Sequence, residues 1–183
     1  MQKINYFEAI EELSVMCSRV IFLSFESTRQ HLSNALKECE KIQSDATEKV
    51  CGLELSLFAE FLPPIERNTI AELCHIILNT IEKCIHIMCQ KIQRPQPEKK
   101  QKIATEVKEL SKLIEESVFV LKKIKKPNQT PNISEFRKKL SELRKATRAP
   151  HKKQGSYANL SYELCEELSN FFDKLIEIML CNI

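Results

Sequence analysis

Two adjacent prolines, Pro63 and Pro64, stand between two long runs of helical periodicity. Each lacks an N–H, and the second also restricts the residue before it, so no helix continues through the pair. Glu66 follows and offers a carboxylate to the exposed amides where the next helix starts. The stretch Phe61–Ile70 therefore predicts a tight reversal between two long helices. Elsewhere the chain has only two glycines, Gly52 and Gly155, too few for a sheet built on tight hairpins or for a Gly-rich phosphate cradle. Trp is absent and Tyr occurs three times, while Leu, Ile, Glu and Lys dominate, which is the composition of an all-α domain.

Apolar residues recur at helical spacing in six stretches. The first spans 6–25, with Phe7, Ile10, Leu13, Cys17, Val20 and Ile21 inward. Ser27 and Thr28 are candidate caps for the second, 30–60, which carries Leu32, Leu36, Cys39, Ile42, Ala46, Val50, Leu53 and Leu57. The third, 68–92, buries Ile70, Leu73, Ile77, Ile81, Cys84, Ile85 and Met88. Arg94-Pro95-Gln96-Pro97 marks the clearest linker. Helices over 99–125, 133–146 and 157–180 follow, the fifth short and basic. Three helices, a proline linker and three more predict an up-and-down six-helix bundle of two repeats, 5–93 and 99–183, within one domain.

Eight cysteines lie scattered in apolar helical contexts with no Cys-x-x-Cys pair. With no basic and apolar leader at the N-terminus, they read as buried free thiols of a cytoplasmic protein. No run approaches the roughly 18 apolar residues of a membrane span. The net charge of +3 is unevenly spread: Lys122 to Lys153 carry +10 and the remainder −7. That segment holds Lys122, Lys123, Lys125, Lys126, Arg137, Lys138, Lys139, Arg144, Lys145 and Arg148. It reads either as a solvated linker and exposed helix, or as a contact for an anionic membrane surface or acidic protein face. Nucleic acid is a poor fit, since Phe136 is the only aromatic among these charges.

The stretch from Ile42 through Met88 resembles the first half of the PhoU-like proteins, in particular the group found beside inorganic-phosphate permeases. Phe61, Pro64, Glu66, Arg67, Ile70 and Leu73 match that group's corner between its acidic helices. Tyr162 to Ile178 is similar to its last helix, with Glu163 and Glu167 where a Glu-x-x-x-Asp pattern falls. The resemblance implies a regulator of phosphate transport, peripheral to the membrane, whose partner is a phosphate permease or another membrane transport component. The family's metal motifs are degenerate here. Gln43 and Thr47 stand at the first Glu-x-x-x-Asp, and Leu78, Asn79 and Glu82 at the Asp-Asp-x-x-Asp. Hard cations need several converging carboxylate oxygens, so no cofactor is expected beyond a weak divalent site at Glu163 and Glu167.

One other polar series, Glu72, His75, Asn79, Glu82 and His86, runs along one face of the third helix. Glu82 with His86 has the spacing of paired transition-metal ligands, against the plainer reading of a solvated face with weak Glu–His pairing. No nucleophile–base–orienter set, P-loop or dinucleotide fingerprint appears, so an enzyme is not expected. The alternatives to a transport accessory are a metal-binding bundle and a structural adaptor or homodimer.

Overall fold

In a computed structural model, residues 5–28, 30–59, 67–93 and 157–181 are described, together with 105, 107–109, 111–116, 118, 134–135, 137–138 and 141–142. Among the described residues there is no strand, and the chain is all-α. Among the described residues the long helices are α1 (Tyr6–Glu26), α2 (Leu32–Ala59), α3 (Arg67–Gln93) and α4 (Tyr157–Cys181). The described residues within 105–118 and 134–142 are helical as well. The proline corner at 60–66, the linker at 94–98 and most of the basic segment lie outside the described residues.

Local chemistry explains where α1 begins and ends. Asn5 is its N-cap, with Oδ1 accepting from the Glu8 N–H at 3.4 Å, and Glu8 sits in the first turn beside the positive end of the helix. The other end closes at Ser27, whose extended backbone donates its N–H to Leu23 O at 3.2 Å. Ser27 thus terminates α1, where the sequence pointed to it as a cap for the next helix. The chain then enters α2 through a turn, with the His31 N–H on Thr28 O at 3.0 Å. No basic residue lies in the last turn of α1. Lys91 of α3 supplies that cation from outside, donating to Ser24 O and lying 5.2 Å over the Phe25 ring.

Ion pairs fix the helix directions. Arg19 meets Glu38 at 2.8 Å and Lys49 meets Glu12, so α2 runs antiparallel to α1. His75 meets Glu54 at 3.3 Å and Met88 Sδ accepts from Cys39 Sγ at 3.5 Å, so α3 reverses again. Lys83 pairs with Glu163 and Lys174 with Glu72, which sets α4 antiparallel to α3. The helical residues near 108–111 run against α1 through Lys108–Glu26 and a 2.8 Å hydrogen bond between Ser18 and Ser111.

Helix α3 is the keystone: it packs against α1, α2 and α4, whereas α4 packs on α3 alone among the named helices. Its buried surface is correspondingly broad. Beyond the predicted stripe it includes Thr69, Cys74, Thr80 and Ile87. Residues on the other helices, such as Ile10, Leu13, Val50, Leu53, Leu168, Phe171 and Phe172, close one continuous core. Hydroxyls inside that core are satisfied locally. Ser14 donates to Ile10 O at 2.8 Å, Ser24 to Val20 O at 2.7 Å and Thr80 to Ile76 O at 2.8 Å, so their burial avoids the cost of an unpaired polar group.

The thiols follow the same logic. Cys17, Cys39, Cys74, Cys84 and Cys165 are free and buried, Cys89 is half-buried and Cys51 is exposed. Among these seven, iodoacetamide applied to the folded protein is expected to alkylate Cys51 first and to leave the five buried thiols unmodified until denaturant is added. Peptide mass spectrometry reads the order directly, and rapid alkylation of Cys84 in the native protein would contradict this packing.

Candidate functional site

The polar residues that the structure gathers lie along the seam between α3 and α4. Both helices turn apolar stripes toward the core, so their flanking positions meet above it, and those positions are charged. At one end Lys83 of α3 donates to Glu163 Oε2 at 3.3 Å and lies 3.8 Å from Glu167 Oε1. At the other, Lys174 of α4 reaches Glu72 of α3 at 2.5 Å and Glu177 of its own helix at 2.7 Å. Near it Arg137 sets Nη1 and Nη2 of its guanidinium against the Asp173 carboxylate, a bidentate pair that docks the described part of the basic segment onto α4. Between these ends opens a groove of about 490 Å³, lined in part by Glu72, His75 and Asn79 from α3 and Asn170, Asp173 and Lys174 from α4.

The electrostatics are those of a self-neutralised seam. The Glu167 side chain is only 17% exposed, and this burial raises its carboxyl above the ordinary range. Lys83 pulls it back down, and neighbouring Glu163 raises it further. Lys174 moves upward because Glu177 and Glu72 both accept hydrogen bonds from its ammonium. Each lysine is thus shared by two carboxylates, and the pairs that cross the seam set how α3 and α4 align.

Glu163 and Glu167 do sit one turn apart on one face, as their spacing predicts, but the space between them holds an ammonium. A divalent cation needs several oxygens and no competing positive charge, so this donor set does not suit one. Glu82 and His86 lie 3.9 Å apart, each 56% exposed, the geometry of a solvated i, i+4 pair. His75 turns to Glu54 of α2 instead of joining them. Among the described residues no three His, Cys, Asp or Glu side chains converge as metal ligands. Of the predicted basic contact residues, Arg137 and Lys138 are described, both exposed on helical backbone. Lys122, Lys123, Lys125, Lys126, Lys139, Arg144, Lys145 and Arg148 lie outside the described residues.

Lys83, Asn170, Asp173, Lys174 and Glu177 are site residues that the motif reading passed over. The signal was present: 163, 167, 170, 174 and 177 recur at three and four residues, as do 72, 75 and 79 opposite. A motif search for carboxylates alone discards the lysines that decide what the carboxylates do.

No described helix is long and apolar enough to cross a membrane. Compared with known proteins, the chain matches no family model and no curated protein.

Proposed function

We propose that this chain is a metal-independent accessory of phosphate transport, PhoU-like in architecture, that acts by associating with a permease or other transport component at the cytoplasmic face of the membrane. Its architecture in this reading is a six-helix up-and-down bundle of two three-helix repeats, 5–93 and 99–183. The alternating directions of α1, α2, α3 and the residues near 108–111 are consistent with it, as is α4 running in the same direction as the residues near 108–111, the direction expected of a sixth helix. The observation that carries the functional reading is Lys83. Its ammonium stands against both Glu163 and Glu167, where the resemblance places cation-binding carboxylates. A chain that keeps the corner residues Arg67, Ile70 and Leu73 but fills the acidic pair with its own cation retains the scaffold without the metal chemistry. Association then falls to surface charge, and the basic segment supplies it: Lys138 is exposed, whereas Arg137 is engaged by Asp173.

A pull-down from the native host's membranes, with metal content measured on the same bait, tests this. The expected result is a phosphate permease recovered by metal-free protein. Reversing Lys122, Lys123, Lys125, Lys126 and Lys138 to Glu is expected to abolish that recovery at physiological salt while circular dichroism stays unchanged. Undiminished recovery by the reversed protein would remove the basic segment from the mechanism. Recovery that depends on added divalent cation would overturn the metal-independent reading itself.

A further inference from the structure

We draw no further inference here: the strongest candidate outside the α3–α4 seam, the exposed stripe of Cys51, Leu55 and Phe58 on the outer face of α2, is an unpartnered apolar helix face, and nothing in the structure shows what covers it.

Discussion

Raising the pH above about 10 is expected to unfold this protein cooperatively, and the buried thiols are the cause. Cys17, Cys39 and Cys74 are pushed up to about 12 from an ordinary value of 9.0, in each case chiefly by burial, and Cys84 is raised well above it for the same reason. A thiol whose folded value is raised contributes stability that is intact below about pH 9 and is lost as the pH climbs toward the folded value, because only the unfolded chain releases the proton. Lys91 works in the opposite direction. Burial lowers it to about 8 from 10.5, so its desolvation cost is present below pH 8 and is relieved between pH 8 and 10.5. One lysine offsets one thiol, and near pH 10 about three protons separate the two states, a slope of about 4 kcal/mol per pH unit. Against a total stability on the order of 5–15 kcal/mol, that places the transition between about pH 10 and 12, with maximum stability near pH 8, where the two effects balance. Helical ellipticity and thiolate absorbance followed together should change in one step. Cys74→Ala should move the midpoint upward and Lys91→Met should steepen the fall. Thiolate absorbance that develops near pH 9 while ellipticity holds would show the thiols to be accessible in the folded state.

Much of this fold is legible in the sequence because helices announce themselves by period. The apolar spacing places α1, α3 and α4 within one residue at each end, and the anticipated inward residues of α3 are all buried. The central position of α3 is harder to see. A stripe search finds one face, yet a helix packed on three sides buries its flanks as well, and Thr80 escapes notice because a threonine reads as polar. Its hydroxyl is satisfied by Ile76 O, so it costs little to bury. The role of Ser27 is hidden for a related reason. Ser27 suits a cap for the following helix as well as it suits a terminus, and only backbone geometry decides between them.

The seam was half legible. The carboxylates Glu163 and Glu167 carry a spacing that sequence alone reveals, whereas the identity of their cation depends on the antiparallel register that sets Lys83 opposite them. Residue sums show why: 83 with 163 and 72 with 174 belong to one register, and a shift of one turn would exchange these partners. Such tertiary pairings have no local signature. Charge pairs of this kind specify how two helices align more than they stabilise them, since desolvation cancels much of the attraction.

Lys83 therefore offers the sharpest test of what the seam does. Lys83→Met keeps the volume but leaves Glu163 and the largely buried Glu167 without their cation, and at this partial exposure is expected to cost on the order of 1–2 kcal/mol. Lys83→Glu places a third carboxylate against Glu163 and Glu167. The Lys83 side chain is 24% exposed, between the fully screened and fully buried limits, so the expected loss is on the order of 2–4 kcal/mol at neutral pH. Three carboxylates facing one another across α3 and α4 are also the beginning of a hard-cation site. Millimolar Mg²⁺ or Mn²⁺ should raise the thermal midpoint of Lys83→Glu and leave those of the parent and of Lys83→Met where they were, through preferential binding to the folded state. Lowering the pH should rescue Lys83→Glu too, since protonating one carboxylate relieves the repulsion. Equal destabilisation by Met and Glu, or a parent midpoint that itself rises with the ion, would mean that Lys83 does not hold the cation's place.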